Sequence, residues 1–502
     1  MERNSDLEIA TTAILAGVVN FLPHPNSPRT RGEKVRNSQM MRGLLYTYKV
    51  PLRRMEKRKD MQFTFKFKPI NKLLPIGLAI VTLLLITYWG QQPTVAQVRS
   101  NVTVDFGQPA TGTISMSGIL HGIDTSQPPD SSIKPLQPKL WRVGRLDIYD
   151  RVIASGAEFQ LVVSDLWGYG TNPNGWPYQN YPAWEAFIRQ LAQQNKGKKI
   201  IWDVWNEPDW TDPFWKGSRE QFFETYKRAY KILREELGPS AMIGGPSLGR
   251  YSKEYLAAFL DYCKANKLEV NFLSWHELND AMILFVDDHV IEAKRNFQQS
   301  PSYKELKLQK IYVNEIVGNL AQYQPGEILG YLYNLEYAKA DGACRACWDS
   351  KGPNKVSNCF NNTLSGMVMP NTFEPRAAWW TYKAYADGVN SRVRSRSDND
   401  RLVALASKSN PEGKAQILLG YFDRNYSSAT TVTLSLGNLE QLGIQRGQTI
   451  TLKLEKIPNN EEGAVQKLVT VKEEQVSVGS ASLAYVIPNF NVHEGYLLTV
   501  SK

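Results

Sequence analysis

Residues 200–210 read IIWDVWNEPDW, a largely apolar run that breaks at Asn206-Glu207-Pro208, with tryptophans at 202, 205 and 210. The run suits a buried strand, and the Asn-Glu-Pro turn stops it. Barrel enzymes keep their chemistry where strands end, so a carboxyl at such a break faces a site. A glutamate standing alone there more often caps a helix or pairs with a cation. Set in an Asn-Glu-Pro turn among tryptophans, Glu207 is instead a candidate for acid–base work. A second group, Cys344, Cys347 and Cys359, crowds into one short stretch. Its CxxC spacing hints at zinc, but no histidine and no fourth ligand stand nearby, so no metal site is expected. In an oxidising compartment the stretch would hold one disulfide. Cys263 follows Leu256, Phe259 and Leu260 at helical spacing and reads as a buried core thiol.

These groups need elements to hold them. From about residue 115 the chain alternates short β-rich runs with longer amphipathic ones. The predicted strands are Ser115–Leu120, Leu140–Gly144, Glu158–Ser164, Lys199–Trp205, Met242–Pro246, Phe272–Trp275, Lys310–Asn314 and Gly342–Trp348. Helices are predicted between them at Tyr181–Gln194, Ser218–Leu237 and Lys253–Lys267. Trp184, Phe187, Ile188 and Leu191 recur at i, i+3, i+4, i+7, a helix face turned to a core. Eight strand–helix units fit a (β/α)8 TIM barrel, and no dinucleotide glycine fingerprint follows the first strand to suggest an open doubly wound sheet. After Gly388 helices give way to alternating runs, LVALAS, AQILLGYF, TTVTLSL, TITLKLEKI, ASLAYVI and GYLLTV, parted by turn residues. These predict a C-terminal antiparallel β-sandwich, to which Val102–Phe106 can add a strand.

At Trp205-Asn206-Glu207-Pro208 the sequence resembles clan A glycoside hydrolases, family 39 in particular. The resemblance covers about residues 115–390, and the sandwich after it matches the family's layout. It implies that Glu207, ending the fourth barrel strand, is the acid/base. IYVNEIVG puts Glu315, 108 residues on, where the family's seventh strand ends in its nucleophile. FLSWHEL supplies Trp275 and His276 on the sixth strand, and CRACWDS supplies Trp348 as the aromatic floor of the sugar subsite. Asn314 stands where relatives often carry Thr.

A retaining glycosidase needs two carboxyls about 5–5.5 Å apart, one protonated and one ionised. Glu207 would then protonate the leaving oxygen while Glu315 attacks the anomeric carbon. Repulsion from an ionised Glu315 is expected to raise the pKa of Glu207. Asn206 would bond the sugar 2-hydroxyl, and Arg142 would hold Glu315 ionised, with Arg145 as its competitor. His276 either orients Glu315 or binds a sugar hydroxyl, or it is a mouth histidine without a catalytic role. Glu277 reads as a supporting or loop residue. Trp167, Tyr169, Trp176 and Tyr178 either form a stacking wall or pack their own loop. Because Trp348 should face the mouth, Cys347 on the opposite face is free to reach the next loop, which predicts a Cys347–Cys359 disulfide.

Net charge is +10, but the first 100 residues hold 16 Lys and Arg against 6 Asp and Glu, and the remainder holds 43 of each. The body therefore has no footprint for nucleic acid. Within the leader, Leu73–Trp89 is uncharged and apolar, follows Lys66, Lys68 and Lys72, and precedes a polar stretch with Thr94 and Ala96. This is an export pattern, and a cleaved signal and a retained anchor both fit it. Everything after Arg99 is expected outside the cytoplasm, whether secreted, periplasmic or anchored, with membrane contact only through the N-terminal segment. Met61 is the expected start, which would leave 1–60 as an untranslated basic extension; a cytoplasmic tail is the other reading. The expected organisation is 1–60 extension, 61–98 signal or anchor, 99–388 barrel and 389–502 sandwich. The expected partner is an oligo- or polysaccharide, with no cofactor and no metal, because the two carboxyls complete the acid–base and nucleophilic roles. A non-catalytic carbohydrate-binding barrel is the alternative, and retention of both glutamates argues against it.

Overall fold

The computed structural model describes residues 99–110, 113–350, 355–409, 413–423 and 429–502. The leader at Leu73–Trp89 and the extension at 1–60 lie outside the described residues. Among the described residues no helix is long and apolar enough to cross a membrane.

Eight parallel strands close into a barrel in chain order: β2 (Gly118–Leu120), β3 (Leu140–Val143), β4 (Glu158–Val162), β5 (Ile200–Asp203), β6 (Met242–Leu248), β7 (Phe272–Glu277), β8 (Lys310–Ile316) and β9 (Gly342–Arg345). They coincide with the eight predicted runs, with shifted ends. Several predicted strands overran because the residues at the mouth, though apolar, turn away from ladder geometry. Val163–Trp167 is a short helix, and Ala346–Trp348 has left β9.

Alternation along the strands sorts the side chains. On β3, Trp141 and Val143 pack outward into the large core under the helices, while Leu140 joins Leu120, Ile201, Phe272, Tyr312 and Cys344 inside the bore. The outer helices bring matching stripes. Tyr181–Gln194 buries Trp184, Ile188 and Leu191 and is capped by Asn180, which accepts from Ala183 N–H. Arg219–Leu237 starts on a Ser218–Gln221 capping box and stops at Gly238, whose φ is 80°.

The other sheet has nine strands: β1 (Arg99–Pro109), β10 (Arg392–Ser397), β11 (Leu402–Ser409), β12 (Lys414–Tyr421), β13 (Thr430–Gly437), β14 (Thr449–Ile457), β15 (Val469–Ser477), β16 (Ser482–Phe490) and β17 (Gly495–Ser501). Its order is β15-β14-β17-β12-β11-β10-β1-β13-β16, antiparallel except where β1 runs parallel to β13. It wraps around one core, to which β1 gives Val102, Val104 and Phe106. Strands β10 and β15 were not predicted, because RVRSRS and VTVKEEQVS carry charge where alternation would place apolar groups. The barrel helix Pro325–Tyr337 docks on this sheet at Gly326, where a Cβ would lie 2.4 Å from the Tyr421 carbonyl oxygen.

Candidate active site

On four of the strands, moving two residues up from the apolar layer reaches a polar one. Arg142, Gln160, Asp203, Ser274 and Asn314 point into the bore above it, all buried. Asp203 is their hub. It accepts from Arg142 Nε at 2.9 Å, Ser247 Oγ at 2.7 Å, Asn314 Nδ2 at 3.1 Å and Gln160 Nε2 at 3.4 Å. Arg142, so anchored, donates from Nη1 to Glu315 Oε1 at 2.7 Å and from Nη2 to Asn206 Oδ1 at 2.7 Å. The second contact fixes the Asn206 amide, so its NH2 edge is the one left for a ligand. Arg145, the competitor, pairs with Asp147 at the surface.

Both glutamates reach the mouth through local irregularities. Strict alternation would point Glu315 outward beside Val313. Instead the pairing with β7 jumps from Trp275↔Val313 to His276↔Glu315, a bulge that turns Glu315 inward beside His276. Glu207 adopts φ 49°, left-handed for a non-glycine residue, and its N–H donates to the Ser247 carbonyl at 2.8 Å. Such a conformation costs on the order of 1–3 kcal/mol and is kept where the surroundings over-determine it.

His276 bridges the pair. Its Nδ1 lies 2.8 Å from Glu207 Oε1 and its Nε2 lies 3.7 Å from Glu315 Oε1. The closer partner is Glu207, whereas the sequence had suggested Glu315. One oxygen of each glutamate and one ring nitrogen lie within 4.8 Å of one another. Such a set can ligate a cation, but the Arg142 guanidinium already stands against Glu315, so an added ion would meet a fixed positive charge.

Burial pushes the Glu207 carboxyl up to about 7, against the pull of Arg142. The expected cause, repulsion by Glu315, is not what leads; desolvation is. Burial raises Glu315 as well, against the pull of Arg142. Burial lowers His276 to about 4, so the imidazole is neutral near pH 7.

These groups open into a cavity of about 1300 Å³ that also includes Trp348, whose Nε1 donates to the Val317 carbonyl at 2.9 Å. Glu277 lines it too, its Oε1 held by Trp275 Nε1 and His289 Nδ1, each at 2.7 Å, which makes it a supporting residue. Of the suggested stacking wall, Trp167 and Trp176 are buried, Tyr178 packs on Trp215, and only Tyr169 lines the cavity. The loop after β4 therefore packs itself. Cys347 and Cys359 form the predicted disulfide, while Cys344 and Cys263 are buried thiols. Sequence reasoning missed Asp203, and it missed His121 and Asp165, which gather beside Tyr169: Asp165 accepts from the Tyr169 hydroxyl and lies 3.5 Å from His121 Nε2. Asp203 had a signal, since it is the one charge inside the apolar run IIWDVW.

The sequence model of the glycosyl hydrolases family 39 matches residues 167–321, from the end of the short helix after the third barrel strand to just past Glu315. A "Beta-xylosidase" of Caldicellulosiruptor saccharolyticus is 26% identical over 124 residues, 23% of this chain and 25% of that protein. One of Geobacillus stearothermophilus is 30% identical over 108 residues, 20% of this chain and 21% of its own length. An "Alpha-1,4-L-rhamnosidase" of Formosa agariphila is 28% identical over 149 residues, 25% and 30% of the two chains. The matched stretches thus span about a quarter of these curated relatives. A solved protein from Neocallimastix frontalis superposes with a TM-score of 0.63 at 20% identity, over 81% of this chain and 100% of that one. A family 39 enzyme from Xanthomonas axonopodis pv. citri superposes with 0.57 at 13% identity, over 82% and 99%. The fold is thus a closed (β/α)8 barrel with an appended β-sandwich. In sequence motif and architecture the chain resembles the clan A glycoside hydrolases, and within that clan its match is to family 39.

Proposed function

We propose that the protein is a retaining glycoside hydrolase that cleaves O-glycosidic bonds of an extracellular or envelope polysaccharide by double displacement. The observation carrying this is the Glu207–His276–Glu315 bridge. One oxygen of each glutamate lies within 4.8 Å of the other, which supports the short carboxyl spacing of retaining enzymes, about 5–5.5 Å, over the about 6.5–9.5 Å of inverting ones. Glu207, held up to about 7, carries the proton for the leaving oxygen, and Glu315, clamped by Arg142, attacks the anomeric carbon. Once the sugar is bound to Glu315, Glu207 takes the proton from the incoming water. Asn206 offers its NH2 edge to the sugar, where a bond to the 2-hydroxyl strengthens in the transition state. The names borne by the relatives support β-xylosides and α-L-rhamnosides as the first substrates to assay. The export pattern at Leu73–Trp89 supports a substrate outside the cytoplasm.

The test is a panel of aryl glycosides, with the anomer of the first-formed product read by NMR. Retention is expected. Inversion would remove Glu315 as nucleophile, and no turnover across the panel would favour a binding protein.

A further inference from the structure

Phe360 is 78% exposed, more than any other large hydrophobic side chain among the described residues, and Trp210 is 54% exposed. Both line the cavity that holds the two glutamates. They stand on opposite sides of it. Trp210 follows β5, its N–H donates to the Glu207 carbonyl at 3.0 Å, and its ring and the Glu207 carboxyl both flank Gly249. Phe360 follows β9, and its ring lies 5.5 Å from that of His121, just past β2. In a closed ring of eight strands β5 and β9 are four places apart, which is across the mouth.

The segment bearing Phe360 is tied down on both flanks. Cys359 is bonded to Cys347, next to Trp348, and its carbonyl accepts from Gly122 N–H at 3.0 Å. Asn358 donates from its backbone to the Trp348 carbonyl at 3.1 Å and from Nδ2 to the Tyr323 hydroxyl at 2.9 Å. Leu364 N–H closes the far side on the Gly122 carbonyl at 2.9 Å. An aromatic ring left in water on a fixed segment is a presented surface, with its ordering cost met before any ligand arrives. The cavity of about 1300 Å³ also exceeds the roughly 300–1,000 Å³ typical of a single small ligand.

From this we infer that the mouth is a cleft for a glycan chain extending to both sides of the catalytic sugar. Trp210 stacks on the leaving-group side, next to the proton donor, and Phe360 stacks on the opposite side. The substrate class is therefore an internal stretch of a polymer rather than a terminal glycoside. This rests on the glycosidase reading for the position of the cleaved bond, but the cleft itself can be tested without turnover.

The experiment is affinity electrophoresis through gels holding soluble xylan, rhamnan, glucan or mannan, one per gel. The Glu315→Gln variant, unable to cleave, should be retarded by at least one of them. The Glu315→Gln, Phe360→Ala pair should bind that polymer about tenfold more weakly, as expected for losing one aromatic anchor. In the wild type, Phe360→Ala should lower the ratio of kcat/KM on a six-unit oligosaccharide to that on the aryl glycoside by a similar factor. Retardation by no polymer, equal retardation of both proteins, or an unchanged ratio overturns the cleft. Phe360-dependent retardation with no hydrolysis of any aryl glycoside would keep the cleft and sink the hydrolase reading instead.

Discussion

The barrel bore has two layers that differ in everything but their strands. The lower layer is Leu140, Ile201, Phe272 and Tyr312; two residues on, the same strands present Arg142, Asp203, Ser274 and Asn314. Below, the groups meet by dispersion and exclusion of water, which tolerate repacking. Above, each buried polar atom needs its partner, and the loss of one leaves another stranded at the cost of its desolvation. The lower layer should therefore govern stability, while the upper one ties stability to chemistry.

Breaking the upper layer at its reactive end should have the largest effect. Glu315→Ala should lower turnover of every substrate by at least about 10⁴-fold, as removal of a nucleophile does. Azide attacking the cavity should give the glycosyl azide of inverted anomer. The Glu207→Ala variant with azide should give the retained anomer, and should lose far more on poor leaving groups than on activated aryl glycosides. Swapped azide stereochemistry would exchange the two roles, and the same anomer from both variants would void them.

Asp203→Ala should come next. It frees Arg142 inside the bore, so unfolding free energy should fall by about 3–5 kcal/mol, as when a buried pair is broken. Because Arg142 then no longer holds Glu315 and Asn206 in place, kcat/KM should also fall by about 10²-fold. Denaturant melts and kinetics on one preparation would check both. A stability loss with unchanged kcat would reduce Asp203 to a core residue.

The pH profile follows from Glu207. Its donor form is present below about 7 and lost above it, so kcat/KM on a poor leaving group should fall tenfold per pH unit on the alkaline limb. The limb should weaken for leaving groups that need no proton. The same raised pKa contributes stability that is present below the ordinary carboxyl value of 4.5 and lost as pH rises through about 7. Calorimetric melts of wild type and Glu207→Gln across that window should therefore diverge.

Smallest in its effect on activity is a cut in the lower layer. Leu140→Ala should cost about 2–5 kcal/mol of stability through the cavity it leaves. Active-site titration should still find wild-type kcat per folded molecule. Dialysis against a chelator should leave activity unchanged, since Arg142 supplies the positive charge beside Glu315; recovery with one divalent ion would contradict that.

Much of this was legible in the chain itself. Short β-rich runs, with stretches of period 3.6 between them, point to a barrel of eight units. The Asn-Glu-Pro break marks one end of the site, the resemblance to family 39 implies the second glutamate, and one CxxC with a third cysteine marks the disulfide. Such signals are local, carried by neighbours in sequence. What only the tertiary structure decided is where a side chain points once the pattern is broken. Alternation sends Glu315 outward, and it is the bulge against β7 that brings it beside His276. Nothing in IIWDVW says that its aspartate meets an arginine 61 residues earlier, nor that His276 approaches Glu207 more closely than Glu315. The tryptophans after β4 carry the same composition as a sugar platform, yet they pack their own loop, while the exposed rings at the mouth are Phe360 and Trp210. Composition records which groups are available; closure of the barrel decides which of them face the bore, which face the helices and which are left to water.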